Sequence, residues 1–132
     1  MKIDDHLKNL KESLEVIEES IEKGLVKRQR NIGFNASAAS VDMLEIFLHK
    51  KGLIDPGFIV KHEWFNSGKA MKDKFPFEFQ NKEGVFSLIS SIEEKRTSLC
   101  YGKPQKIEAI RGVINDLNRL KDSFREAGLD EI

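Results

Sequence analysis

An arginine occupies a place that the pattern around it reserves for a hydrophobe. In the stretch Glu83–Pro104, EGVFSLISSIEEKRTSLCYGKP, the residues Val85, Ile89, Ile92 and Leu99 step by four, three and seven, and the step of seven passes over Arg96. A helical period that turns Val85 and Leu99 toward a core turns Arg96 there as well. A guanidinium keeps its proton, so a buried one needs carboxylate or hydrogen-bond partners. One turn on, Cys100 and Tyr101 stand at a helix end, with Gly102 as its cap and Pro104 as the opening of the next helix. The chemistry this suits is that of phosphate. Arginine's planar fork matches phosphate oxygens, and metal-independent RNA cleavage needs a cation for the phosphorane beside an acid and a base. Arg96 is the candidate cation. Tyr101 is suited to orienting a phosphate, a phenol being a poor base at neutral pH. Cys100 reads as a small buried hydrophobe.

The elements that must position these residues follow from periodicity. The first helix, capped by Asp4 or Asp5 and stopped by Gly24, carries the stripe Ile3, Leu7, Leu10, Leu14, Ile17, Ile21. A second helix over Lys27–Lys51, closed by Gly52, is apolar on most sides, which makes it central. Small residues crowd its middle (Gly33, Ala36, Ser37, Ala38, Ala39, Ser40) and let neighbouring helices approach closely. Asp42 and Glu45 share its inner face and are the expected partners of Arg96. Leu53–Lys82 is an irregular insertion with a turn at Pro56–Gly57, a short helix holding His62 and Trp64, and an extended FPFEF lid whose rings cap one end of the body. The last helix, Lys106–Glu126, carries Ile107, Ile110, Ile114, Leu117, then Leu120 or Lys121, and Phe124, and is followed by a frayed tail. The expected fold is therefore all-α, an antiparallel up-and-down bundle of four long helices with a short irregular insertion between the second and third.

Composition narrows the function. Basic and acidic residues number 22 each, so the net charge is zero and only a local patch can attract nucleic acid. The expected patch combines Arg30, Asn35, Lys95 and Lys103, with Lys27 and Arg28 on its rim. A lone cysteine excludes an internal disulfide, and His6, His49 and His62 match no metal-ligand spacing, so no metal and no cofactor are expected. The charged N-terminus lacks an apolar signal region, and no apolar run reaches the roughly 18 residues of a membrane span. A cytoplasmic protein without a membrane partner is expected.

A long central helix with a polar patch, then a helix ending in an arginine motif, then a last helix, resembles the HEPN domain (higher eukaryotes and prokaryotes nucleotide-binding). The resemblance covers Val26–Phe124 by element order. In that family the motif is arginine, four to six residues, then histidine; here EEKRTSLCYGKP places Tyr101 where the shortest spacing puts the histidine. The length fits one domain over residues 1–132, and the resemblance implies a homodimer and an RNA- or nucleotide-binding protein. In its catalytic form that protein is a metal-independent ribonuclease of a toxin–antitoxin system, with Arg96 and Tyr101 at the site and Asp42 and Glu45 supporting. Two other readings stay open: an inactive HEPN-like module partnering a minimal nucleotidyltransferase, and an unrelated helical interaction protein.

Overall fold

A computed structural model describes residues 1–132. The protein is all-α. Its elements are α1 (Ile3–Lys23), α2 (Gln29–Lys50), a 3-10 turn (His62–Asn66), α3 (Gly68–Lys74), α4 (Lys82–Tyr101) and α5 (Ile107–Glu126). Glycines end three of the long helices in positive φ, which a residue without Cβ adopts at no steric cost: Gly24 at 124°, Gly52 at 68° and Gly128 at 104°. After α2, the Leu53 N–H returns to the Leu48 carbonyl at 2.9 Å and the Gly52 N–H to the His49 carbonyl at 3.0 Å. Gly102 also follows a helix, but at φ −93°. What it needs is space, because a Cβ there would lie 2.5 Å from the Ser98 carbonyl oxygen.

Helix α2 is the centre of the body and packs on α1, α4 and α5. Ile32, Ala36, Met43, Leu44, Ile46 and Leu48 are fully enclosed. The small residues act as the sequence predicts. A Cβ on Gly33 would stand 2.8 Å from Leu99 Cβ and 3.0 Å from Cys100 Sγ, so α4 rests directly on the α2 backbone. Helix α1 turns inward along His6, Leu10, Ser13, Ile17 and Ser20. That line is rotated from the apolar stripe: Leu7 and Leu14 are half-buried and Ile21 is 42% exposed. Helix α5 buries Ile110, Val113, Leu117, Leu120 and Phe124, while Ile107 stays outside.

The aromatic cap exists as expected. Phe75 is fully buried, with the Phe86 ring centroid 4.9 Å and the Phe65 centroid 5.8 Å away, and Phe79 packs against Phe47 at 5.3 Å. Such pairs add roughly 0.5–1.5 kcal/mol each beyond their area. Some local expectations change. The segment around His62 and Trp64 is a single 3-10 turn, and the insertion does not stay extended after it. Instead Ser67 Oγ accepts the Ala70 N–H at 3.3 Å and opens α3. Asp4 and Asp5 lie inside the first turn of α1, where they favour the helix dipole, and Lys2 precedes the helix. Pro104 stands in the link before α5, which begins at Ile107. The tail is not frayed: Leu129 is 2% exposed, and Glu131 pairs with Lys50.

The Gly33 contact makes a stability prediction. Gly33→Ala forces α2 and α4 apart and lowers the unfolding free energy by about 1–3 kcal/mol in urea titrations. Gly84→Ala, in open space within α4, leaves stability unchanged or raises it by up to about 1 kcal/mol.

Candidate functional site

The link between α2 and α3 carries the donors that satisfy two buried carboxylates. Glu45 on α2 and Glu93 on α4 are 5% and 7% exposed. Glu45 Oε1 accepts the Val60 N–H at 2.9 Å. Two residues on, His62 Nδ1 meets Glu93 Oε1 at 2.7 Å, and Ser37 Oγ donates to the same oxygen at 2.5 Å. Both ends of this short stretch are thus bound to different helices, and Phe65 behind it is sunk in the aromatic cap. Serine, histidine and glutamate meet here without making a nucleophile triad. Ser37 is 1% exposed and donates to the carboxylate, so its hydroxyl is not presented for attack.

His62 is half-exposed, and with Nδ1 engaged its Nε2 is left for solvent or ligand. It opens onto a cleft of about 550 Å³ lined with Lys61, Glu93, Arg96 and Thr97. His62, from the link after α2, and Arg96, from α4, thus line one cleft. Beside the cleft runs a ladder of cations and rings. Arg96 Cζ lies 5.2 Å from the Phe34 ring centroid, Arg30 Cζ 5.7 Å from Phe34 and 5.8 Å from Tyr101, and the two rings meet edge to face at 5.8 Å. Tyr101 is 67% exposed.

The expected burial and pairing of Arg96 are corrected. It is half-exposed and has no carboxylate partner. Its backbone does sit on the inward line, between Ile92 and Leu99, but the side chain is long enough to carry its charge over Phe34 to the cleft. The buried acid on that side of α4 is Glu93, and Ser37 is the α2 residue that faces it. Asp42 and Glu45 support the body elsewhere. Asp42 Oδ1 takes His6 Nδ1 at 2.8 Å, and Glu45 Oε2 lies 2.5 Å from His6 Nε2. Burial pushes the Asp42 carboxyl above its ordinary range, against the pull of His6.

The expected binding residues divide. Arg30, Arg96 and Tyr101 come together. Lys95 does not join them: Asp116 on α5 holds its amine at 3.3 Å, on another side of α4. Asn35 Nδ2 is spent on the Asn31 carbonyl at 2.8 Å. Lys103 is exposed, and its backbone carbonyl accepts Gln29 Nε2 at 3.2 Å. Gln29 also reaches the Leu99 carbonyl and the Gln105 N–H, which stitches the α4–α5 link to the start of α2. Cys100 is buried as expected. Burial raises its thiol above the ordinary value, and the charges of Arg96 and Arg30 offset this only in part. Sequence reasoning missed His62, Glu93 and Phe34. The available signal was Glu93, a carboxylate beside Ile92 on the buried face of α4 that needed a donor.

The fold and site define an all-helical protein with a cleft bearing imidazole and guanidinium. No protein-family model matches the chain, and it matches no curated protein and no solved structure.

Two outcomes follow. Arg96→Ala costs about 0.5–1 kcal/mol, the scale of an exposed cation–π contact, rather than the loss expected of a broken buried pair, and chemical denaturation measures it. Cys100 resists iodoacetamide at pH 8 in the folded protein and reacts at the rate of a free thiol once unfolded; equal rates would contradict the burial argument.

Proposed function

We propose that the chain is a HEPN-like RNA- or nucleotide-binding protein that uses the Arg96–His62 cleft, its four long helices forming an antiparallel up-and-down bundle. The single observation that carries this is that a glutamate-held imidazole and an unpaired guanidinium line one open cleft. In the catalytic form, Arg96 takes the charge of the phosphorane in its planar fork. His62 Nε2 takes the 2′-OH proton as the 2′-oxygen–phosphorus bond forms and the phosphorus–5′-oxygen bond breaks, water protonates the leaving 5′-oxygen, and Glu93 fixes the imidazole at Nδ1. Tyr101, Phe34 and Arg30 offer flat groups on which an unpaired base stacks, a sequence-tolerant contact worth about 1–3 kcal/mol per base. Tyr101 acts in binding and orientation, and the proton-transfer role falls to His62.

Within this reading the protein is a homodimer. The exposed Ile107, across the α4–α5 link from Tyr101, belongs to the surface that a second copy covers, and Tyr101 stands at its edge with its ring left open to a base. A toxin–antitoxin setting with a minimal nucleotidyltransferase partner belongs to the same proposal. Its inactive form, a binding module for that partner, differs only in lacking turnover.

The test is incubation of labelled tRNA and mRNA with purified protein in EDTA. Wild type binds at micromolar concentration and cleaves. Arg96→Ala weakens binding by about tenfold or more, the worth of a charge-assisted hydrogen bond. His62→Ala retains binding and loses cleavage. Binding without cleavage in the wild type leaves the inactive module, and no binding of any RNA or nucleotide ends the proposal. Light scattering gives a dimer mass at micromolar concentration; a monomer would remove the dimer from it.

A further inference from the structure

A second cluster lies on the α1 side of α2, apart from the Arg96 cleft. Glu45 and His49 stand one helical turn apart on α2 and so share a face. His6 of α1 packs over them, its ring centroid 6.0 Å from that of His49. The donor atoms of His6, Glu45 and His49 all lie within 4.8 Å of one another. His6 is 4% exposed. Its Nε2 is buried and makes no hydrogen bond, although Glu45 Oε2 stands 2.5 Å away. His49 Nε2 is likewise buried and without a partner. Two orphaned imidazole nitrogens beside one carboxylate oxygen are costly in an apolar interior unless something accepts them together.

We propose that His6, Glu45 and His49 bind one divalent transition-metal ion of the zinc class. The donor set, two imidazoles and a carboxylate, is one that zinc takes with a water in the fourth position. The groups behind the donors are already arranged for it. Asp42 Oδ1 holds His6 Nδ1 at 2.8 Å, which leaves Nε2 with the lone pair that a metal needs. Val60 N–H occupies Glu45 Oε1 at 2.9 Å and leaves Oε2 for the ion. A surface cleft of about 340 Å³, lined by Ile3, Asp4, Ile54 and Pro56, has His49 in its wall. A tetrahedral ion keeps neighbouring ligand atoms about 3.3 Å apart at bond lengths near 2.0 Å, so Glu45 Oε2 withdraws from His6 by less than about 1 Å on binding. Such an ion joins α1 to α2 and, through Glu45 and Val60, steadies the segment that presents His62. The site rests on its own residues and does not depend on RNA binding.

The test uses full-length protein stripped with a chelator and desalted. Titration with Co2+ gives visible bands of four- or five-coordinate cobalt saturating at one equivalent, Zn2+ abolishes them, and Mg2+ does not. Asp42→Asn weakens Co2+ binding by about 10–100-fold, and His49→Gln by more. His49 is half-buried, so His49→Gln is the variant expected to stay folded, which circular dichroism checks. As a measurement that needs no variant, long-range 15N spectra of the wild type show the Nε2 resonances of His6 and His49 shifting on Zn2+ addition. Absence of stoichiometric cobalt bands, unshifted Nε2 resonances, or a folded His49→Gln protein that binds as tightly as wild type overturns the proposal.

Discussion

Two carboxylates are buried in this helical protein with no lysine or arginine paired to them, and satisfying them organises much of the rest. Glu45 and Glu93 belong to α2 and α4, whose own backbone donors are occupied within the helices. Buried charge without hydrogen-bond donors costs several kcal/mol, so donors must be brought in from elsewhere. They come from the Ser37 hydroxyl and from the link after α2, as the Val60 N–H and the His62 imidazole, while His6 of α1 closes over Glu45. A segment rich in turns thereby acquires a fixed path over the body. The aromatic cap then locks it from the other side, with Phe65 against Phe75 and Phe86.

This path explains why the cleft has the composition it does. His62 is held at Nδ1 by a group too buried to serve any ligand, so the ring keeps one orientation and one free nitrogen. Arg96 arrives at the same cleft for a different reason. Leu99 and Cys100 press against Gly33, which draws the end of α4 close to α2 and brings Arg96 and Tyr101 beside Phe34 and Arg30. A net charge of zero hides this local grouping of guanidinium, imidazole and aromatic groups. The same approach buries Cys100 and makes its thiol a packing atom.

On the other side of α2, small side chains have a parallel effect. Ser13 and Ser20 of α1 face a helix whose own inner positions include Ala36, Ala39 and Ser40, so the two can lie close together. Close approach carries His6 between Asp42 and Glu45. The inward line of α1 is consequently set by where serine and histidine fit rather than by where leucine is densest.

The sequence by itself determined the four long helices, the central place of α2, the inward turn of Glu45, the glycine ends at Gly24 and Gly52, and the phenylalanine cap. Each depends on period or on one residue's own φ preference, and both are local. The tertiary structure alone decided which partner each buried polar group received. Period tells which face Glu45 and Arg96 share with the core, but not which neighbouring element lies against it. Asp42 and Glu45 met His6 rather than Arg96, because α1 covers that side of α2. Arg96 reached the rim, because its chain is longer than the layer covering it. His62 came to Glu93 across a distance in sequence that no spacing rule spans, and His6 came to Glu45 and His49 in the same way.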